Sequence, residues 1–103
     1  MKLNEVQELV KGLFEQHGLR QRGYTFEFNN TKARFGSCDP LLKVITLSKH
    51  LTELHDLAIV KDVILHEIAH SMVHRNDKHS KAWKAKFKEI GGSGNRFVII
   101  ERR

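Results

Sequence analysis

Cysteine is almost absent from this 103-residue chain: Cys38 stands alone. A single thiol can form neither an internal disulfide nor a cysteine-based zinc ribbon, so Cys38 reads as a small buried or turn residue. Long apolar runs are missing too, and no stretch approaches the roughly 20 residues needed to cross a bilayer. Glu5 and Glu8 interrupt the apolar residues of the N-terminus, which excludes a secretory signal peptide. Repeats and low-complexity tracts are lacking. These absences point to an intracellular protein (cytoplasm, nucleoid or nucleus), not secreted and with no membrane partner. What is present is a hydrophobic content of 40%, too high for a disordered chain. The length suits one domain over residues 1–103, expected to be monomeric, whose modest core would bury about 65% of the unfolded surface.

Leu3, Val6, Leu9, Val10, Leu13 and Phe14 form a helical stripe, with Gly18 as its C-terminal cap. Tyr24, Phe26 and Phe28 alternate with Thr25 and Glu27, the pattern of a strand with one buried face, and core packing suits them better than base stacking. Asn29-Asn30 suggests a turn into a second strand near Lys32 to Phe35. Gly36 to Pro40 reads as a loop and Lys43 to Leu47 as a third strand. From His55 to His74 there is no Gly or Pro, and Leu57, Val60, Ile64, Ile68 and Met72 recur at spacings of three and four, which predicts one helix with Asp56 near its start. A further helix is expected from Ser80, as N-cap, to Ile90. Gly91-Gly92-Ser93-Gly94 would end it, with Arg96 to Glu101 as a last strand.

The chemistry concentrates in His66-Glu67-Ile68-Ala69-His70. Residues four apart on a helix lie one turn apart on nearly the same face, so His66 and His70 can reach one ion. Glu67 is about 100° around from His66, awkward as a ligand but near enough to take a proton from a water held there. Two ligands and one base is the physical content of the H-E-x-x-H pattern. A catalytic metal needs a third protein ligand. Three candidates follow: His74, two turns up the same row; His79, after the polar break Arg75-Asn76-Asp77-Lys78 that can reverse the chain; and Glu89, on the next helix. His79 is favoured. Three neutral imidazoles would suit zinc, leave one position open, and set Glu67 to deprotonate water for attack on a carbonyl. Tyr24 and His74 are candidate donors to the resulting oxyanion.

The stretch from His66 to Asn95 resembles the SprT-like, or Spartan-type, zinc metalloprotease family: the H-E-x-x-H helix, a histidine after a short loop, a tryptophan four residues later and a closing Gly-Gly. Upstream, Ala33-Arg34-Phe35-Gly36-Ser37-Cys38 followed by Val44-Ile45-Thr46-Leu47-Ser48 is similar to the family's hairpin, with its G-x-C turn and a strand ending in Leu-Ser. The likeness spans about two thirds of the chain. Ser80 departs from it, because many relatives carry glycine after the third histidine. The resemblance implies that His66, His70 and His79 bind one zinc ion and that Glu67 is the catalytic acid/base. It also implies an α+β fold, a small gluzincin-like (minimal zincin) domain: an N-terminal helix, a three- to four-stranded sheet over the H-E-x-x-H metal helix, and a following helix.

The net charge of +6 is uneven: residues 1–60 carry eight basic and seven acidic side chains, residues 61–103 ten and five. Lys81, Lys84 and Lys88 share one face of the last helix, with Trp83, Phe87 and Ile90 towards the other. Such a face is either simply solvated or a phosphate-binding surface. Relatives of the Spartan type bind DNA and cleave proteins crosslinked to it, so the resemblance favours contact with DNA and a protein substrate. Two further classes fit the same residues: a nucleic-acid-binding module with a structural zinc, and a metal-dependent hydrolase of a non-peptide substrate.

Overall fold

In the computed structural model, which describes residues 1–73 and 80–93, the chain runs α1 (Leu3–Gln16), β1 (Thr25–Asn29), β2 (Gly36–Asp39), β3 (Val44–Ser48), α2 (Lys49–Leu54), α3 (Leu57–Met72) and α4 (Lys81–Glu89). The architecture is the expected α+β one, built around a three-stranded sheet. The strand expected over residues 96–101 lies outside the described residues, as do His74 and His79.

α1 buries Val6, Val10, Leu13 and Phe14 and stops where Gly18 takes φ +73°, a conformation costly for any residue with a Cβ. The Leu19 amide then donates to the Phe14 carbonyl at 2.9 Å and the Gly18 amide to Glu15 at 3.4 Å. Together they form the paired closure of a Schellman cap. Leu19 is buried just past it.

The sheet has the order β1-β3-β2, with β1 parallel to β3 and β2 antiparallel to it. Its registers place Phe26, Phe28, Ile45, Leu47, Gly36 and Cys38 on one face. That face receives α3 through Ile45 and Leu47, both fully buried. The opposite face is polar: the Asn29 amide donates to the Thr46 hydroxyl at 3.3 Å, and Ser37 and Thr46 share a hydroxyl hydrogen bond.

Two strand expectations need correction. Residues 32–35 are not a strand, and residues 36–39, expected as loop, are. The cause is local hydrogen bonding: the Asn29 carboxamide accepts from the Thr31 amide and the Thr31 hydroxyl from the Ala33 amide. Such side-chain bonds offer the backbone an alternative to a ladder. The reversal falls instead at residues 40–43, where the Asp39 carboxylate accepts from the amides of Leu41 and Leu42. The G-x-C segment is therefore strand β2 and not the turn of the hairpin.

The single helix expected over residues 55–74 is present as α3, two residues shorter at each end, and a short helix that was not expected stands before it. α2 precedes it, capped by the Ser48 hydroxyl, which accepts from the Leu51 amide at 3.2 Å. α3 begins after Asp56, whose carboxylate accepts from the Ile59 amide at 3.2 Å, and ends at Met72 with Val73 extended. Its burial is broader than a stripe: Val63, Leu65 and Ala69 are buried along with Val60, Ile64 and Ile68, whereas Leu57 is exposed. The helix is enclosed by α1, the sheet and α4.

α4 follows its Ser80 cap as expected, the hydroxyl accepting from the Trp83 amide at 3.4 Å, and buries Trp83 and Phe87. It closes with the Gly92 amide donating to the Phe87 carbonyl at 2.8 Å, and the Asp62 carboxylate of α3 takes the Ser93 amide and hydroxyl at 2.7 and 2.9 Å. A Cβ on Gly92 would lie 1.9 and 2.0 Å from ring atoms of Phe87, so the ring or the backbone would have to move. Gly92→Ala is expected to destabilise the fold by about 1–3 kcal/mol through overpacking. Urea unfolding checks this, and an unchanged midpoint would contradict the close packing.

Candidate active site

α3 places His66 and His70 one turn apart, and their Nε2 atoms converge to 3.2 Å. Glu67 Oε2 lies 3.9 Å from His66 Nε2. One ligand-capable atom from each of the three residues falls within a sphere of 4.8 Å separations. Two nitrogens bound at about 2.0–2.1 Å to a tetrahedral ion stand roughly 3.3–3.4 Å apart. The observed separation of 3.2 Å fits such an ion with hardly any side-chain movement, and the donors are of the kind that divalent transition metals take. Glu67 is only 5% exposed, which suits it to a reaction at the edge of a low-dielectric interior.

The carboxylate gains its place because β2 begins with glycine. A Cβ on Gly36 would come within 3.2 Å of both Cγ and Oε2 of Glu67 and 3.1 Å of Leu47, tighter than ordinary contact, so a larger residue there would press on the Glu67 and Leu47 side chains and displace them by a few tenths of an ångström. On the other side α4 supplies an aromatic wall. Trp83 stacks on His70 (centroids 5.2 Å apart, planes at 18°) and meets His66 edge-on at 4.8 Å. Phe87 meets His66 edge-on at 5.6 Å. The indole Nε1–H of Trp83 donates to the His66 carbonyl at 3.2 Å.

The other residues singled out from the sequence fall as follows. His79, the favoured third ligand, and His74 lie outside the described residues; α3 itself does not extend to 74. Glu89 is exposed and pairs with Lys86 at 3.1 Å, and it does not join the His66, Glu67, His70 group. Tyr24 neighbours Arg22, whose guanidinium carbon lies 5.2 Å from its ring centroid. Burial chiefly, then Cys38 and Asp39, raises its pKa, while Arg22 opposes the shift. Cys38 and Asp39 sit at the end of β2 away from Gly36, whereas the Arg22 guanidinium donates to the Ser71 carbonyl, one residue past His70, at 2.6 Å. Lys81, Lys84 and Lys88 are exposed on α4, facing away from buried Trp83 and Phe87. Sequence reasoning missed the contributions of Gly36 and of the Trp83 indole to the site. The i, i+4 spacing of Trp83 and Phe87 signalled a buried face but not what that face covers.

The SprT-like family model matches residues 3–102, and the chain belongs to that family. Among solved structures it is similar to the metallopeptidase zymogen jannalysin of Methanocaldococcus jannaschii, with TM-score 0.69 and 18% identity over 82% of this chain and 79% of that one. It is also similar to the metallopeptidase zymogen abylysin of Pyrococcus abyssi, with TM-score 0.67 and 18% identity over 82% of this chain and 77% of that one. At this identity the likeness is one of fold. No curated protein sequence matches.

The converging imidazoles predict uptake of one divalent ion per chain. Since imidazole ligates only when neutral, affinity should weaken as pH falls through the ordinary histidine range. Equilibrium dialysis with zinc or cobalt across that range checks both points. Affinity independent of pH, or retained in His70→Ala, would count against these ligands.

Proposed function

We propose that this domain is a zinc-dependent metalloendopeptidase in which His66, His70 and His79 hold the ion and Glu67 is the general base. The observation that carries the proposal is the convergence of both imidazole Nε2 atoms beside the buried carboxylate of Glu67. In the sequence His79 directly precedes Ser80, the cap of α4, the helix that carries Trp83. A bound zinc ion would polarise a carbonyl oxygen and lower the pKa of a coordinated water from about 16 to about 7. Glu67 takes the proton of the attacking water and returns it to the amide nitrogen as the C–N bond breaks, leaving a carboxylic acid and an amine.

Peptide as substrate is supported by β2. Among the described residues it is an edge of the sheet, hydrogen-bonded to β3 on one side only, and its first residue touches the space beside Glu67. An extended chain added along that edge would pair with β2 and pass its carbonyls over the site. The two similar structures are metallopeptidase zymogens, which supports the same reading, and membership of the SprT-like family agrees. A structural zinc would have no need of a buried carboxylate beside its ligands.

Association with DNA, and action on DNA-bound or crosslinked proteins, belongs to the same proposal. It draws on the exposed Lys81, Lys84 and Lys88 of α4, whose other face touches the candidate ligands. Lys86 has a carboxylate partner in Glu89.

Glu67→Gln should retain metal and lose about 10²- to 10⁴-fold in turnover, whereas His70→Ala should lose both metal and activity. Chelator-sensitive cleavage of an unfolded protein substrate, assayed beside metal content, checks this, and full activity in Glu67→Gln would remove the base assignment. Neutralising Lys81, Lys84 and Lys88 together should flatten the slope of log affinity for duplex DNA against log salt by about 2–3. An unchanged slope would leave the protease without this DNA-binding surface.

A further inference from the structure

We propose that Trp83 is a positioning residue that sets the orientation of both His66 and His70 toward a shared ion, and so governs metal affinity from outside the ligand set. The inference rests on reading those histidines as ligands, but its evidence is separate. Trp83 is fully buried, and three of its contacts act on the candidate ligands in different ways. Its indole lies nearly parallel to His70 at 5.2 Å and restrains rotation of that ring about its χ2 bond. Its edge-on approach to His66 at 4.8 Å, beside Phe87 edge-on at 5.6 Å, backs one side of His66 with two adjoining aromatic rings whose centroids are 5.0 Å apart. Its N–H donates to the His66 carbonyl. In an α-helix that carbonyl also accepts the amide of the residue four positions on, which here is His70. Trp83 therefore clamps the turn of backbone that joins the two candidate ligands as well as the rings themselves.

The two imidazole planes stand at 68° to each other, and with that tilt the Nε2 atoms meet at 3.2 Å. Trp83 and Phe87 supply protein contacts to these rings. Rotamer freedom that two histidines would otherwise lose on coordination is already restricted by the protein, and a group that orients a ligand from behind raises affinity without touching the metal. A tryptophan that merely filled core volume would explain its burial. It would not explain why the one polar atom of the ring is spent on the carbonyl between the ligands.

The test compares the full chain with Trp83→Leu, which loses both the stack and the N–H, and Trp83→Phe, which keeps a ring and loses the N–H. Zinc affinity is measured by competition with a chromogenic chelator well below the unfolding temperature of each variant, and Co²⁺ absorption reports ligand geometry. Trp83→Leu is expected to weaken zinc binding about 10- to 100-fold, Trp83→Phe by less, and both to alter the cobalt visible bands. Emission from Trp83, the single tryptophan, adds a readout in the unaltered protein: zinc should leave its maximum in place, because the ring is held by protein contacts. Unchanged affinity and unchanged cobalt spectra in the folded variants overturn the proposal, and so does a large zinc-induced emission shift. If Trp83→Leu does not fold, Trp83→Phe decides by the same criteria. Failure of the unaltered chain to bind zinc or cobalt is a different result: it removes the metal-centre reading, and the positioning role with it.

Discussion

A helix that must be buried on nearly every side, and must still carry a carboxylate and two imidazoles, is the constraint around which this structure is arranged. From Val63 to Ser71 every residue of α3 is buried except His66 and His70, which are partly covered, whereas Lys61 before this stretch is exposed. Taking an ionisable carboxyl group out of water costs several kcal/mol unless neighbouring groups answer it. The surrounding elements set the size of that cost by how closely they approach. On the sheet side, β2 lies close against Glu67 at a residue without a Cβ, where an added one would crowd the carboxylate at 3.2 Å. On the α4 side, flat aromatic rings cover the imidazoles and leave their Nε2 atoms facing each other.

The two sides divide the work of the site. Sheet packing fixes the carboxylate, and a rigid strand edge next to it suits a base that must meet a substrate backbone in one geometry. Helix packing fixes the two nitrogens, whose mutual distance decides whether an ion finds tetrahedral ligands. Because α3 contributes all three residues, both adjustments act on the same short stretch of backbone. A shift of α3 against either neighbour would alter base and ligands together.

Much of this was legible in the sequence, for physical reasons that can be named. His66 and His70 are related by helical period alone, and a single long helix is the safest reading of an uninterrupted apolar periodicity. Gly18 and Ser80 mark helix ends because backbone conformation and side-chain capping are local, and both act as caps in the structure. The failures occurred where local bonds competed with pattern. Asn29 and Thr31 turned the chain before a strand could begin, moving β2 to the G-x-C segment. Ser48 ended one element and capped the next, so α2 went unread. The place of Gly36 against Glu67 joins residues 31 positions apart and leaves no trace in spacing. The parallel pairing of β1 with β3 is likewise invisible to periodicity, which reports faces and not partners.

α4 shows how closely fold and site are joined. A nine-residue helix has little stability of its own in water, so its existence must be explained by what holds it. Asp62, His66 and His70 form one row on α3, each a turn beyond the last, and α4 lies antiparallel along that row. Ser93 meets Asp62 at one end, Phe87 and Trp83 meet His66 in the middle, and Trp83 meets His70 at the other. The terminal caps at Ser80 and Gly92 fix its length. The contacts that make this segment helical are thus largely the contacts that orient the imidazoles, and docking of α4 and ordering of the candidate metal ligands are one event.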